Sequence, residues 1–373
     1  MYMNFKLKTA VLVCFVCLVR MGFSQNATKY SNEFLQIGVG ARSLGMGGSV
    51  LASSNDVYSG YWNPASLVKM EGNVQIALMH ASYFAGIANY DYGAWATKMS
   101  NNSALGISVV RFGVDGIVNT FDLIRNGEID YNRVTSFNTS DLAIILSYAR
   151  EEKINGYKNI SFSWGANAKY IRRKVGPFAK ANGFGFDISA QLSNEKKGLS
   201  FGAVLRDATS TFNSWRYTFT DAQKDVLAAT QNAIPKNTLE ITLPRLIVGV
   251  AKQWEKKNWL FLAETNLNFT TDGQRNVLVS SKSFNIDPTI GGEIAYEIDK
   301  KTKLFFRTGL NNFQRKTNSK GKTVSSVAPN IGLGIVLENF TLDYALSNLS
   351  AIGDSGAKLY SNIFSLKLAI NKK

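Results

Sequence analysis

Cysteine and histidine are almost absent from this chain of 373 residues. The two cysteines, Cys14 and Cys17, both lie near the start, and His80 is the one histidine. A two-histidine metal site is therefore impossible, and a Ser–His–Asp triad could use only His80. We expect no enzyme activity: the sequence predicts no catalytic residue, no cofactor and no metal site.

The first 24 residues have the pattern of a secretory signal peptide. Lys6 and Lys8 precede the apolar stretch 10–19, and small residues lie before a plausible cleavage point between Ser24 and Gln25. This stretch is too short to cross a bilayer as a helix. Its removal would leave a mature chain without disulfide or thiolate chemistry. The formal net charge of +15 could suit nucleic acid or anionic lipid, and export argues against nucleic acid.

Long hydrophobic runs are also missing after the leader, so no transmembrane helix is predicted. A period of two takes their place. Ile160, Phe162 and Trp164 alternate with Ser161 and Ser163, and similar alternation recurs along the chain. Because successive side chains of a strand point to opposite faces, each such segment has one apolar face and one polar or glycine face.

The alternation predicts about 14 strands, most of them long enough to cross a bilayer at a tilt. They lie near residues 74–83, 86–97, 104–112, 140–150, 158–173, 182–193, 199–206, 245–254, 258–269, 288–298, 302–311, 330–338, 339–347 and 359–370. Links after even-numbered strands are short, as at Asn155-Gly156, a dipeptide that suits a tight hairpin turn. Most links after odd-numbered strands are longer: 113–139, 174–181, 207–244, 270–287, 312–329 and 348–358.

This asymmetry of loops is typical of outer-membrane barrels. We therefore predict an all-β protein: a transmembrane antiparallel β-barrel in the cell outer membrane, at residues 73–373, with its apolar faces on lipid. An even strand count would place both ends of the chain on the short-turn, periplasmic side. The alternative is a large soluble β-sandwich whose apolar faces pack together.

Residues 25–72 lack the alternation, and we predict that they form an N-terminal hatch or plug in the barrel lumen. Two motifs fall in this segment. Their residues are Gly38, Gly40, Ala41, Arg42, Gly45, Met46, Gly47 and Gly48 in the first, and Trp62, Asn63, Pro64 and Ala65 in the second. A phosphate-binding loop is an alternative for the first, but it lacks both G-x-G-x-x-G spacing and a GK[ST] ending. Close backbone approach in a crowded lumen explains its glycines better.

Taken together, the two motifs resemble the opening of the PorV/PorQ family of Bacteroidota outer-membrane proteins. Members of that family look like fourteen-stranded, FadL-like barrels with an N-terminal hatch. The resemblance covers the predicted plug well and extends along the rest as barrel pattern, including Leu243-Pro244-Arg245. The chain departs from common barrel practice at its C-terminus, which ends in Asn371-Lys372-Lys373 and not in an aromatic residue.

The resemblance implies a component of the type IX secretion system. Such a protein would bind the translocon barrel, the C-terminal signal domain of secreted cargo, or both, through extracellular loops. A FadL-like passive transporter of hydrophobic small molecules is the alternative function. The Gly, Ser, Asn and charged faces predicted for the lumen disfavour it, so no small-molecule substrate is expected.

The longest predicted loop, 207–244, contains the candidate partner-binding residues Phe212, Trp215, Tyr217 and Phe219. Exposed aromatic side chains are good anchors for a protein partner. They could equally form an interfacial girdle or pack within the loop. A helix is predicted after them, from Asp221 to Ala233, because Thr220 and Gln223 have the spacing of a capping box.

Overall fold

The computed structural model describes residues 31–125, 127–154, 156, 159–273, 275–317, 323–348 and 360–371. The predicted signal peptide with its cleavage point lies outside the described residues. So do Asn155 of the predicted hairpin turn, most of the predicted loop 348–358, and the last two lysines.

Strands dominate the described residues. They are β1 (Val74–Tyr83), β2 (Ala88–Ser100), β3 (Ser103–Asn119), β4 (Ile124–Arg125), β5 (Glu128–Ile129), β6 (Thr135–Lys153), β7 (Ile160–Val175), β8 (Ala179–Asn194), β9 (Leu199–Arg206), β10 (Thr211–Tyr217), β11 (Thr238–Thr242), β12 (Arg245–Lys256), β13 (Trp259–Thr270), β14 (Val279–Ser280), β15 (Asn285–Asp299), β16 (Thr302–Thr317), β17 (Thr323–Leu337), β18 (Phe340–Asn348) and β19 (Tyr360–Ile370). The α-helices are Ala41–Gly45, Ser59–Trp62 and Asp221–Ala229, and the 3-10 helices are Glu33–Gln36, Pro64–Lys69, Phe84–Gly86, Tyr131–Arg133 and Glu195–Lys197. None of these helices is long and apolar enough to cross a membrane.

The strands close into a single antiparallel barrel. Each long strand pairs with its neighbours in the chain, and the circle is completed where β1 pairs with β19, Val74 lying opposite Ile370. The barrel wall has 14 strand positions, which we call staves. Two of them are interrupted: β9 and β10 form one, and β11 and β12 form the next. Among the described residues, closure gives each of the 14 staves a hydrogen-bonded neighbour on both sides, as a lipid environment requires. The predicted 14-stranded all-β barrel is confirmed.

The alternation along each strand sorts side chains between the outside and the lumen. On β8, Phe184, Phe186 and Ile188 are half or more exposed on the outer wall, whereas Asp187 and Gln191 are buried inside. A soluble sandwich would bury the apolar face, so this pattern excludes it and agrees with the predicted lipid-facing apolar surface.

A group of aromatic rings encircles part of the outer wall at the short-turn end. Trp254 and Trp259 lie on either side of Phe261, with ring centroids 5.7 and 6.4 Å from it, and Tyr296 lies 4.7 Å from Trp259. Such girdles mark the level of the headgroups in outer-membrane barrels.

The long loops are shorter than predicted because the wall continues into them. Between β7 and β8 the predicted loop 174–181 is wrong: only residues 176–178 separate the two strands. The predicted loop 207–244 is also wrong. After Asp207 and Ser210, which have φ of 51° and 59°, the chain resumes as β10 and pairs again with β8.

The second broken stave has a different cause. β11 pairs with β10 and stops before Leu243-Pro244, where proline has no N–H to donate to a ladder. The free loop is thereby reduced to residues 218–237. The helix in this loop has the predicted capping box of Thr220 and Gln223, but it ends at Ala229, four residues earlier than predicted.

Residues 31–73, the lumen segment, lie inside the barrel. The segment forms hydrogen bonds to inward side chains from all around the wall: Ser147, Ser189, Glu264, Glu293 and Ser365. Its two ends lie at opposite ends of the lumen. Asn73 adjoins β1 at the short-turn end, whereas Asn32 donates to Thr242 of β11, 2.9 Å away, in the long-loop half. The predicted position of the N-terminal end on the short-turn side lies outside the described residues.

Candidate functional site

The backbone of the first motif packs closely against glycines of the wall. A Cβ atom added at Gly45 would lie 2.9 Å from the Cα atom of Gly332 on β17. A Cβ added at Gly291 on β15 would lie 2.5 Å from the Met46 carbonyl oxygen, and one added at Gly309 on β16 would overlap the Met46 backbone. The wall thus has glycine at these three contacts, which is the close approach expected from the sequence.

The second motif holds the first in place. The Trp62 indole donates a hydrogen bond to the Val39 carbonyl (2.8 Å), and the Asn63 amide donates to the Leu51 carbonyl (2.9 Å). The Asn63 side chain also accepts from the Ala65 N–H, which in addition reaches the hydroxyl of Ser189 on β8 (2.9 Å). The structure therefore brings the two predicted motifs together. The remaining motif residues, Gly38, Gly40, Ala41, Gly47, Gly48 and Pro64, lie in the same packed layer.

A chain of ion pairs fastens the first motif to three strands. Arg42 donates two hydrogen bonds to the Glu293 carboxylate, at 2.9 and 3.2 Å. Glu293 also accepts from Arg307 (2.5 Å), and Arg307 donates to Asp343 (2.7 Å). Burial disfavours the Arg42 charge, but Glu293 outweighs it and raises the pKa of Arg42. The guanidinium thus stays charged inside the lumen.

Asp56 makes a second ionic anchor near the short-turn end. Its carboxylate lies 3.0 Å from the Lys367 ammonium of β19. Burial alone would raise the pKa of Asp56, but Lys367 and Arg42 hold it below its usual range. Both anchors border a cavity of about 400 Å³ at the short-turn end, which charged side chains such as Glu71, Glu255 and Lys303 also line.

A second cavity, of about 470 Å³, lies on the long-loop side of the lumen segment. Amide and charged side chains line much of it: Gln36, Arg206, Arg245, Asn266, Asn268, Asp287, Asn311 and Gln314. The two cavities have no lining residue in common. The layer formed by the two motifs lies between them.

Buried charges of the wall hold the upper part of this layer. The Arg206 guanidinium lies 4.6 Å from the Tyr61 ring centroid and donates to the Tyr61 carbonyl (3.2 Å). Lys169 bridges Asp187 and Asp207 at 2.7 and 2.5 Å. Lys169 and Asp187 fall on the polar face of the alternation in β7 and β8, but nothing in the sequence indicated these pairings.

Six aromatic rings meet at the long-loop rim, and we call them the rim aromatic cluster: Phe121, Phe137, Phe178, Trp215, Tyr217 and Phe219. Phe178 lies at the centre, 5.2 Å from Phe121, 5.1 Å from Phe137 and 5.6 Å from Phe219 between ring centroids. Phe178 and Trp215 are buried, and the other four rings are partly exposed. The hydroxyl of Thr218 donates to the Pro177 carbonyl and ties the two sides of the cluster together.

Three of the four predicted partner-binding residues belong to this cluster. The fourth, Phe212, faces outward from β10 opposite Phe184 and is 45% exposed. Phe121, Phe137 and Phe178 were missed because they come from other connections. The one signal for them was the presence of aromatic residues in the predicted loops 113–139 and 174–181.

His80, the one histidine, lies on the outer wall. Its Nδ1 is 2.7 Å from the carboxylate of Asp91, which also accepts from Arg111 (3.1 Å). A Ser–His–Asp triad would also need a serine hydroxyl at the other ring nitrogen of His80, Nε2. The position is away from both lumen cavities.

No family model and no curated protein matches this chain. Several solved structures do resemble it in fold. The CymD monoaromatic hydrocarbon channel is 13% identical, with a TM-score of 0.53 over 90% of this chain and 98% of that one. The Ralstonia pickettii toluene transporter TbuX is 13% identical, with a TM-score of 0.51 over 89% and 98% of the two chains.

A Pseudomonas aeruginosa FadL homologue is 11% identical, with a TM-score of 0.52 over 93% of this chain and 98% of that one. These identities are too low to carry an activity across, but the match runs through nearly the whole of each barrel. The closed ring of 14 staves and these likenesses lead to one conclusion: the chain has the fold of the FadL-like outer-membrane barrels.

Proposed function

We propose that the chain resides in the outer membrane and takes up a hydrophobic small molecule passively, beginning at the rim aromatic cluster. The cluster is the observation that carries this proposal. Rings from three connections and from the strand ends beside them meet at the long-loop end, and four of the six rings are partly exposed. Aromatic side chains give a large apolar contact area to a ligand of similar character.

The likeness in fold supports the same proposal. Two of the barrels that share this fold are described as a toluene transporter and a monoaromatic hydrocarbon channel. The comparisons therefore favour passive transport over a role in secretion, which was the first expectation from the sequence.

The lumen sets a condition on this function. Both cavities carry amide and charged side chains, and the motif layer separates them. An apolar solute gains little in such surroundings. We therefore place its binding at the rim aromatic cluster, and transit requires the lumen segment to shift, with loss of contacts such as Arg42–Glu293.

Uptake by proteoliposomes tests the proposal. The double variant Phe178→Ala, Phe219→Ala removes the stacked centre of the cluster. Truncation of central aromatic anchors typically costs 2 kcal/mol or more, so uptake of labelled toluene or oleate should fall roughly 30-fold at limiting solute. The control is Phe186→Ala, which removes one phenylalanine ring from the lipid-facing wall. Equal uptake by the double variant and the wild type would reject the cluster as the entry site.

A docking role in type IX secretion is the second candidate. The two motifs favour it, because they resemble the PorV/PorQ opening and lie together in one layer. In this case the rim aromatic cluster would bind the translocon barrel or the C-terminal domain of secreted cargo. Aromatic anchors at a rim suit a protein partner as well as a small molecule. Neither candidate function is enzymatic.

Affinity purification from native membranes distinguishes the two candidates. Under the second, the wild type and Phe186→Ala should both recover a translocon or cargo protein, and the Phe178→Ala, Phe219→Ala variant should lose it. A barrel that purifies without partners, yet transports solute, would leave only the first.

A further inference from the structure

The cationic side chains on the two faces of strand β7 have different surroundings. Arg173 points into the lumen, where it donates to Asp141 (3.0 Å) and Glu240 (3.2 Å) and lies 5.0 Å from the Trp215 ring. Its neighbours Arg172 and Lys174 point outward and are exposed. Neither has an ion-pair partner within the part of the chain that the structure describes. Acidic residues of the wall therefore neutralise Arg173, whereas Arg172 and Lys174 have no counter-ion among the described residues.

The outward cations continue across the neighbouring strands. Lys174 lies directly opposite Lys180 of β8, and Lys180 lies directly opposite Arg216 of β10. Like charges facing each other across strands destabilise a sheet. Lys180 and Arg216 also have no acidic partner among the described residues, so four adjacent cations share one uncompensated face. We call Arg172, Lys174, Lys180 and Arg216 the basic patch.

The basic patch sits directly beyond the edge of the apolar belt. Toward the short-turn end of the same outward face, Tyr170, Phe184 and Phe212 lie side by side across β7, β8 and β10. This aromatic row is one outward position from Arg172 and two from the other three cations. Below them the face is apolar, with Phe186 and Ile188 half exposed. The order of apolar belt, aromatic row and basic row is that of a surface crossing from lipid tails to lipid headgroups.

We propose that the basic patch binds the phosphate groups of a phosphorylated lipid in the outer leaflet. The backbone of its four cations is fixed on paired strands at the headgroup level, so binding has to order only their side chains. Guanidinium groups donate paired hydrogen bonds to phosphate oxygens in a bidentate fork, and ammonium groups add point charge. Charge complementarity selects an anion, and continuity with the lipid-facing belt makes a lipid the occupant. The inference rests on the outer-membrane location and not on which ligand the rim aromatic cluster takes.

Lipid binding to the purified barrel provides the test. The probes are lipid A with its phosphates, the same lipid A after phosphatase treatment, and inorganic phosphate. The variant is Lys174→Gln, Lys180→Gln, Arg216→Gln. The control is Lys256→Gln, Lys257→Gln, Lys300→Gln, which removes the same charge at the short-turn end. Heat-dependent migration on gels checks that both barrels are closed.

The wild type and the control should retain phosphorylated lipid A, as measured by native mass spectrometry and by titration in detergent. The patch variant should bind it on the order of 100-fold more weakly, since each cation near an anionic headgroup is worth a factor of about five. Dephosphorylated lipid A should bind the wild type as weakly as the variant binds the intact lipid.

Three outcomes would overturn the proposal. The first is equal retention of phosphorylated lipid A by the patch variant and the control. The second is displacement of the lipid by millimolar inorganic phosphate, which would make the patch a site for a soluble anion. The third is unchanged lipid binding together with loss of a co-purifying acidic protein, which would assign the patch to a protein partner.

Discussion

The substitution Gly291→Ala tests whether backbone contact seats the lumen segment. The added methyl group would lie 2.5 Å from the Met46 carbonyl oxygen, where ordinary contacts begin at 3.4 Å. The segment must therefore move by roughly 0.9 Å or the strand must bend. Overpacking of this kind costs about 1–3 kcal/mol, which raises the population of the released segment about 5- to 150-fold.

Trypsin reports on this release. Arg42 and Lys69 are the two tryptic sites of the lumen segment, and Arg42 is held against Glu293 in the seated state. When reclosing is fast, cleavage follows the released population, so cleavage at Arg42 in proteoliposomes should accelerate by the same factor. Ionic conductance in planar bilayers should rise in parallel, because the motif layer separates the two cavities.

Gly292→Ala is the matched control. It lies one residue further along β15, faces outward, and its added methyl group would meet nothing closer than the Leu262 carbonyl oxygen at 3.7 Å. The loss of backbone freedom in the unfolded chain is the same for both substitutions. If Gly291→Ala were cleaved no faster than Gly292→Ala, close packing of Met46 on the wall would not be what seats the segment.

Three further predictions follow from the anchors and the loop helix. Glu293→Gln leaves Arg42 and Arg307 facing a neutral acceptor and should cost about 3–5 kcal/mol in urea unfolding, whereas Glu297→Gln, whose pair with Lys303 is exposed, should cost at most about 1 kcal/mol. The depressed pKa of Asp56 means that its stabilisation is complete above its ordinary pKa of 3.8 and is lost as the pH falls through the lower folded value. Trypsin cannot be used at that pH, so pepsin is the protease for this test. Pepsin should cleave the released lumen segment of the wild type only in strong acid, and that of Lys367→Gln at higher pH. An unchanged pH profile of cleavage in Lys367→Gln would contradict this. Thr220→Ala removes the capping box and should speed amide exchange in Asp221–Ala229 about fivefold, an effect of about 1 kcal/mol.

The strands could be predicted from the sequence because each strand of a closed barrel alternates apolar and polar side chains. Alternation located β1 and β9 to the residue, and it assigned Lys169 and Asp187 to the lumen side. The glycines of the first motif were expected to mark close backbone approach, and Gly45 does meet Gly332. Each of these inferences uses local periodicity or a single residue's sterics.

Contacts between side chains that are far apart in the chain could not be predicted from a single sequence. Arg42 and Glu293 are 251 residues apart, and no local pattern says which lumen carboxylate meets which cation. The extension of the wall into β10 and β11 was missed because Asp207–Ser210 and Pro244 interrupt the alternation and imitate loop boundaries. The basic patch was missed for a related reason: Lys174 and Lys180 were assigned to a loop that the structure replaces with two longer strands.

The closing of the ring has a consequence for biogenesis. β1 follows the lumen segment directly in the chain, yet its second hydrogen-bonded partner is β19, close to the opposite end of the polypeptide. An assembly intermediate that lacks β19 has a gap beside Ala41, whose N–H bonds to Ser365 of that strand. The lumen segment is therefore fully enclosed only when β1 pairs with β19. A barrel that stalled before this pairing would expose the lumen segment to periplasmic proteases.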